Sequence, residues 1–461
     1  MVNAKSLYEN KNILVLGAGK SGTNAAELLK RMGAKVTLND KKSQNDAPEY
    51  QELAAASIKT IFGKQDVSLL NDNFDLMVKN PGIPYDNPVV KKAMEMNIPI
   101  IVEPQLASEI TDAELVGVTG SNGKTTTTTM INKMLNANRK SGKSYVAGNI
   151  GVPATQVAAQ AGNEDSIVME LSSFMLLGIT SLHPHIAVLT NIFSNHLDYH
   201  KTRENYVNAK MRITKNQNEN DYFVVNFDNA EWRELSKRSK AKIVPFSRKG
   251  FSKLGAYVEN NKIYFNSEYV MDVKDIKLPG EQNVENALAA IAVAKIKNVD
   301  NASVKSVLSK FNGVRHRVQY VLEADGRKVY NDSKATDIEA TQMALDGFDE
   351  PIVLLAGGLD RGYKFDKLVP NLSNNVKAIV LFGETKYLLK DAAEKAGVNN
   401  IELVDNLDQA VKTAYEFSKP GDVILLSPAN ASWDQFKTFE ERGDRFIKDI
   451  EKITGKKEVK Q

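Results

Sequence analysis

The 461 residues contain no cysteine. A disulfide framework, a thiol nucleophile and a cysteine-ligated metal are therefore excluded. No apolar run approaches the about 20 residues that cross a bilayer. The opening MVNAKSLYENKN shows no basic-then-apolar leader pattern. Excess charge is missing too: 60 Lys and Arg face 57 Asp and Glu, a net +3. That balance points to neither nucleic acid nor a membrane surface as partner, and leaves room for a local basic pocket. No repeat period marks a solenoid. Only the tail Gly455–Gln461 reads as disordered. What is present, 42% hydrophobic and 25% charged residues, is the make-up of a soluble globular protein. The length suggests about three domains, and the expected location is the cytoplasm.

One stretch organises the chain: LVGVTGSNGKTT, residues 115–126. An apolar strand (Leu115–Val118) leads into a turn of Gly120, Ser121, Asn122 and Gly123. Lys124, Thr125 and Thr126 then open a helix expected over Thr127–Leu135. Strand, glycine turn and helix start form a phosphate cradle, because free backbone N–H groups and the positive end of the helix dipole converge on an anion. The spacing is a compact variant of the usual phosphate loop, since Val118 stands at the first glycine position. Lys124 is expected against the outer phosphates and Thr125 against Mg²⁺, with ATP as the bound nucleotide. An ordinary turn with a solvated lysine is the competing reading.

Towards the N-terminus, the strand NILVLG (12–17) runs into Gly17-Ala18-Gly19-Lys20-Ser21-Gly22, a G-x-G-x-x-G match. A helix (Thr23–Met32) and a second strand (Lys35–Leu38) ending at Asp40 follow. This is the nucleotide-binding order, with Asp40 placed for a ribose hydroxyl. Lys41 and Lys42 follow where the phosphates of a sugar nucleotide would lie. Strand Leu76–Val78 ends in Asn80-Pro81-Gly82-Ile83-Pro84, a rigid turn at the strand end where such sheets bind ligands. Strand Ile98–Val102 closes a unit about half the size of a full dinucleotide-binding sheet.

Beyond the cradle, Glu170 stands at the end of strand Ser166–Met169 and Ser172 follows it. His196 follows strand Ile186–Leu189, and Lys210 lies in a helix expected over Arg203–Thr214. Parallel strands would bring Glu170 and His196 to the cradle's edge, as Mg²⁺ ligands beside ATP. A hydrogen-bonded structural histidine is the blander reading of His196. Alternation over 241–273 reads as a small β region, and Asn283 and Asn286 share a face of an alanine-rich helix. The last segment repeats the α/β pattern. A hairpin-like pair (Val318–Glu323, Arg327–Asn331) precedes strands Ile352–Ala356, Ala378–Phe382 and Asp422–Leu426, each ending in a polar loop.

Seven motifs stand in order along the chain: VTGSNGKTT (118–126), GNIGVP (148–153), MELSSF (169–174), NIFSNHLD (191–198), QNVENALAA (282–290), NDSKAT (331–336) and SPANASWDQFKTFEER (427–442). Together they resemble the Mur ligases of peptidoglycan synthesis. GAGKSG, NPG and above all SPANASWDQF resemble the branch that adds D-glutamate to UDP-N-acetylmuramoyl-L-alanine. The resemblance implies an α/β protein of three domains. Residues 1–105 are expected as a Rossmann-like half that holds the UDP substrate. Residues 106–313 are expected as an ATPase-like parallel sheet with a small β region. Residues 314–461 are expected as a Rossmann-like unit that brings the amino acid and closes over ATP.

By the same resemblance, Gly19, Lys20, Ser21, Asp40 and Lys42 meet the UDP part and Asn149 the muramoyl part, while Asn80, Gly82 and Ser172 are expected as further substrate-binding residues. Two Mg²⁺ ions are implied, one on Thr125 and Glu170, the other on His196 and a carbamylated Lys210. Asn283, Asn286, Arg317 and Asp332 would meet adenine and ribose. Lys334, Thr336, Ser432 and Phe439 would meet D-glutamate, with Arg361 or Lys364 facing its side chain. Asn195 stands where relatives often carry aspartate before the metal histidine. The implied reaction passes through an acyl phosphate, whose sensitivity to water calls for a closed site. A monomer is expected. Two rival readings are a folate polyglutamylating ligase, which would not need the N-terminal module, and a nicotinamide dehydrogenase, which the central ATP loop disfavours.

Overall fold

The computed structural model describes residues 6–44, 50–193 and 197–459. Chain contacts divide it into two compact units: Met1–Met271 with Glu285–Val307, and Asp272–Val284 with Leu308–Gln461.

The first unit holds two sheets. Strands β1 (Asn12–Leu16), β2 (Lys35–Asp40), β3 (Lys59–Phe62), β4 (Leu76–Lys79) and β5 (Ile100–Ile101) form one, in the order β3-β2-β1-β4-β5. All its pairings are parallel. β5 is shorter than the expected 98–102, because Pro99 precedes it and a helix (Glu103–Ile110) begins just after it.

Nine strands make the other sheet. They are β6 (Glu114–Thr119), β7 (Ser144–Gly148), β8 (Ser166–Glu170), β9 (Ile186–Leu189), β10 (Tyr222–Asn226), β11 (Lys242–Ser247), β12 (Ala256–Glu259), β13 (Lys262–Phe265) and β14 (Glu268–Asp272). The order is β14-β13-β12-β11-β10-β9-β6-β8-β7. The alternating stretch 241–273 is therefore the far side of the central sheet itself: β11 pairs parallel with β10 and β12, and the β12–β13 hairpin turns antiparallel. The helix expected from Thr127 already begins at Lys124 and runs to Ala137.

Both sheets feed one apolar core, which includes Ile13, Val15, Val36 and Val78 from the first and Ile167, Met169, Leu189 and Phe223 from the second. Polar bonds stitch the same seam. Glu103 Oε1 accepts from the Thr155 N–H (2.5 Å) and hydroxyl (2.6 Å). Gln105 Oε1 accepts from the N–H groups of Thr180, Ser181 and Leu182 at 2.9, 3.1 and 3.0 Å.

The second unit carries β15 (Gln319–Ala324), β16 (Arg327–Asn331), β17 (Ile352–Gly357), β18 (Val376–Phe382), β19 (Asn400–Leu403) and β20 (Val423–Leu426), in the order β15-β16-β20-β17-β18-β19. β15 and β16 are the antiparallel hairpin and the rest is parallel. Its apolar strands read as unbroken runs, yet alternate residues serve opposite faces. Leu354 and Leu425 pack on one side, Leu355 and Leu426 on the other. The tail is not disordered over its described part. Arg315 Nη1 donates to Glu458 at 2.7 Å and the Val459 N–H to the Val321 carbonyl at 2.8 Å, so an ion pair and a strand-edge bond hold it.

Candidate active site

The phosphate loop lies between β6 and the helix Lys124–Ala137. Gly123 takes φ +79°, and a Cβ there would overlap the Asn286 side-chain oxygen, so glycine is required on two counts. As the residue capping the helix it offers its first-turn N–H groups no side-chain acceptor. The loop is fixed from outside. The N–H groups of Ser121 and Asn122 donate to the carbonyl and side chain of Asn191, each at 2.9 Å, and Ser121 Oγ meets the Tyr206 hydroxyl at 2.9 Å. Lys124 Nζ bends back to the carbonyls of Gly120 (2.9 Å) and Ser121 (2.7 Å). Thr126 is buried in the helix's first turn.

Parallel pairing sets Glu170 opposite Val118, two residues before the loop. Its Oε1 accepts from Asn149 Nδ2 at 2.9 Å. Its Oε2 is buried without a partner, as is Thr125 Oγ1. A buried carboxylate oxygen and a buried hydroxyl left unsatisfied are costly unless a ligand completes them. Both are hard oxygen donors, which is what Mg²⁺ takes, so this pair fits the ion. Lys210, fully buried, reaches the Gly120 carbonyl at 2.7 Å. Burial first, and then the Lys124 charge, pull its pKa well below the ordinary lysine range; Glu170 acts in the opposite direction. The expected ligand His196, with Asn195, lies outside the described residues. Among the described residues no group of three His, Cys, Asp or Glu side chains is placed to hold a metal.

At the N-terminal sheet, Asp40 clamps the glycine turn. Its carboxylate accepts from the Ala18 N–H at 2.7 Å and from the Lys42 N–H at 2.9 Å. Lys20 and Lys42 are exposed and Gly19 and Ser21 half-buried around that turn. Asn80 Oδ1 accepts from the Gly82 N–H at 3.0 Å. A cavity of about 720 Å³ lies beside Gly82, lined also by Tyr85, Leu177, Tyr199, Asn208 and Arg212. Ser172 caps the helix Ser173–Leu177 through the Met175 N–H.

Of the two asparagines expected to share a face, Asn286 accepts from Thr127 Oγ1 at 3.3 Å beside the loop, and Asn283 Nδ2 donates to the Pro279 carbonyl at 2.7 Å. In the second unit, Asp332 accepts from Ser427 Oγ at 2.9 Å. Burial raises it to about 7, opposed by that bond and by the Arg317 charge. Arg317 Nε is itself buried and unpartnered. Lys334 Nζ sits 5.5 Å from the Phe439 ring centroid, and Ser432 Oγ is buried without a partner. Thr336 is half-buried, and Arg361 and Lys364 are exposed.

Two side chains without an expected role prove central here. Arg442, fully buried, donates to the Ser333 and Asn430 carbonyls, each at 2.9 Å, and to Ser333 Oγ at 3.0 Å; this ties the polar ends of β16 and β20 together. Trp433 lies under the Arg361 guanidinium, 4.7 Å from the ring centroid. Arg442 closes the last quoted motif, which was the available signal. Nothing local marks it as buried.

Three family models match the chain in succession: "Mur ligase MurD-like, N-terminal domain" over 11–102, "Mur ligase middle domain" over 118–294, and "Mur ligase, glutamate ligase domain" over 316–430. The chain belongs to the Mur ligase family. Among similar Mur ligases are two proteins named UDP-N-acetylmuramoylalanine–D-glutamate ligase. The one from Lactiplantibacillus plantarum is 58% identical over 98% of both chains. The one from Ligilactobacillus salivarius is 60% identical over 98% of this chain and 99% of that one. Solved Mur ligases share the fold. A UDP-N-acetylmuramate-alanine ligase from Thermotoga maritima has a TM-score of 0.61 at 21% identity, covering 96% of this chain and all of that one. A MurF ligase from the same organism, in complex with ADP, has a TM-score of 0.59 at 20% identity, covering 97% of each.

Proposed function

We propose that the protein is an ATP-dependent ligase that joins D-glutamate to UDP-N-acetylmuramoyl-L-alanine in peptidoglycan precursor synthesis. The observation that carries the chemistry is the convergence of Lys124, Lys210 and the unpartnered oxygens of Thr125 and Glu170 on one glycine turn. Full-length similarity to D-glutamate ligases carries the substrate assignment.

A carboxylate is a poor electrophile, so the L-alanyl carboxylate first takes the γ-phosphoryl of ATP as an acyl phosphate. Two anions must meet for that. Lys124 and the helix N-terminus offset their repulsion, a mainly electrostatic task. Mg²⁺ bound by Thr125 and Glu170 would supply further charge neutralisation at the phosphates. The D-glutamate amine then attacks the acyl carbon, and phosphate leaves.

Lys210 is suited to carry a carbamate. The lowered pKa populates its neutral amine, whose lone pair can bond to CO2 with loss of a proton, leaving a carboxylate-like oxygen donor. His196 joins it as a second ligand in this reading. Asn283, Asn286, Arg317 and Asp332 hold adenosine. Gly19, Lys20, Ser21, Asp40 and Lys42 hold the UDP part and Asn149 the muramoyl part, with Asn80, Gly82 and Ser172 as further contacts to the same substrate. Lys334, Thr336, Ser432 and Phe439 hold D-glutamate, with Arg361 or Lys364 at its side chain. The division of labour is 1–105 for the sugar nucleotide, 106–313 for ATP and 314–461 for the amino acid, in a monomeric cytoplasmic enzyme. Among the described residues no helix is long and apolar enough to cross a membrane.

The test is ADP release with UDP-N-acetylmuramoyl-L-alanine and a panel of D- and L-amino acids. D-Glutamate should stand alone in driving turnover; equal rates with other amino acids, or none with D-glutamate, would overturn the assignment.

A further inference from the structure

Lys79, the last residue of β4, is fully buried. An ammonium group in that position has lost its hydration and must be repaid by fixed partners. No ion pair serves it among the described residues. Its partners are backbone carbonyls: Nζ donates to Ile83 at 2.6 Å, to Asn80 at 3.2 Å and to Pro81 at 3.4 Å. The Tyr85 ring closes another side, its centroid 4.7 Å from Nζ. Burial accordingly pulls the Lys79 pKa down to about 8. The Tyr199 hydroxyl reaches the Pro81 and Ile83 carbonyls as well, at 3.4 Å each.

The turn 80–83 is thus wrapped round a cation. Three carbonyl dipoles aimed at one point repel each other unless a positive charge occupies it. That turn is also the wall of the glycine turn. A Cβ placed on Gly17 would stand 2.8 Å from Asn80 Cβ, and one on Gly19 would stand 3.4 Å from Asn80 Nδ2. Asn80 is held against residues 17–19 from two directions: its N–H donates to the Leu16 carbonyl at 2.8 Å, and its own carbonyl is drawn inward by Lys79.

We propose that Lys79 is a positioning residue for the sugar-nucleotide site: its buried ammonium, seated among the carbonyls of Asn80, Pro81 and Ile83, holds the Asn80–Ile83 turn against the glycine turn that receives the UDP part. The inference rests on the reading that this N-terminal sheet binds the sugar nucleotide. Lys79 makes no bond to the phosphate loop, so its effect is confined to one substrate.

Full-length Lys79→Met, Lys79→Gln and, as a reference, Asp40→Ala are compared with the unaltered enzyme by steady-state kinetics and by calorimetric titration with UDP-N-acetylmuramoyl-L-alanine. Lys79→Met should raise the KM and Kd for the sugar nucleotide about tenfold or more, roughly the loss of one charge-assisted hydrogen-bond set. KM for ATP and D-glutamate should stay within about twofold on the same grounds. Lys79→Gln keeps two N–H donors and should fall between, and it carries the test if the methionine variant does not fold. Sugar-nucleotide KM unchanged in a folded variant, or all three KM values rising together, overturns the proposal. If Asp40→Ala weakens sugar-nucleotide binding and the Lys79 variants do not, this inference alone falls. If none of them does, the N-terminal binding reading falls and takes the inference with it.

Discussion

Lys124 and Lys210 share one acceptor: their amines reach the carbonyl oxygen of Gly120 at 2.9 and 2.7 Å. The two lysines lie on different helices, and the Lys124 charge lowers the tolerance of buried Lys210 for its own. Lys124 is partly exposed, which suits the phosphate contact proposed for it. Lys210 is sealed in and pushed towards its neutral form. This division of roles leads to two predictions.

Lys124→Ala should remove the charge that makes phosphoryl transfer possible. The expected loss is about a thousandfold in kcat, the scale of losing a preorganised electrostatic group. ADP release in the presence of all substrates measures it, and near-normal turnover would refute the assignment of the loop.

Lys210→Arg keeps a cation but has no neutral amine to add CO2. It should be as inactive as Lys210→Ala. Small carboxylates such as formate or acetate should restore part of the activity of the alanine variant and none of the arginine variant. Carbon-13 NMR of enzyme under labelled bicarbonate should show a carbamate signal in the unaltered protein alone.

Glu103 gives a stability test with a defined sign. Burial raises its pKa from 4.5 to about 7, against the pull of its Thr155 bonds. A carboxyl whose folded pKa is raised destabilises the fold when ionised. Its penalty therefore grows as pH climbs from about 4.5 to about 7 and is constant above, to at most about 3 kcal/mol. Glu103→Gln keeps an acceptor for Thr155 and cannot ionise. Denaturant titrations at pH 5 and pH 8 should show a smaller stability difference for this variant than for the unaltered chain; parallel curves would contradict the account.

Arg361 and Lys364 are the two cations proposed for the D-glutamate side chain, and their surroundings differ. The Trp433 ring supports the Arg361 guanidinium, which limits its rotamers before a substrate arrives. Arg361→Ala should raise the D-glutamate KM by tenfold or more and Trp433→Ala by about threefold, as lost charge-assisted and cation–π contacts. Lys364→Ala should do neither. A large effect of Lys364→Ala alone would reverse the choice.

The phosphate loop was legible because its signals are local: an apolar run, two glycines, then Lys124 and Thr125 within twelve letters. Strand ends were legible for the same reason, which is how Glu170 could be picked out, whereas Asp332 came only from the family resemblance. Contacts that span the chain were not. The tail GKKEVKQ reads as disordered until Arg315 and Val321 are brought beside its Glu458 and Val459. Lys79 reads as a strand's last polar residue, since no letter nearby announces that three carbonyls will enclose it. Residues 241–273 alternate as any surface hairpin does, and only the β10–β11 pairing shows that they extend the main sheet.

The seam between the first two sheets has an engineering consequence. Residues 1–105 look like an interchangeable cartridge, yet Glu103 and Gln105 are anchored on Thr155 and on residues 180–182, and the apolar core runs through without a break. A chimera that swaps this segment with a relative's must transplant both sides of that junction. Heating should accordingly melt residues 1–271 in a single step, with no separate event for the amino-terminal hundred.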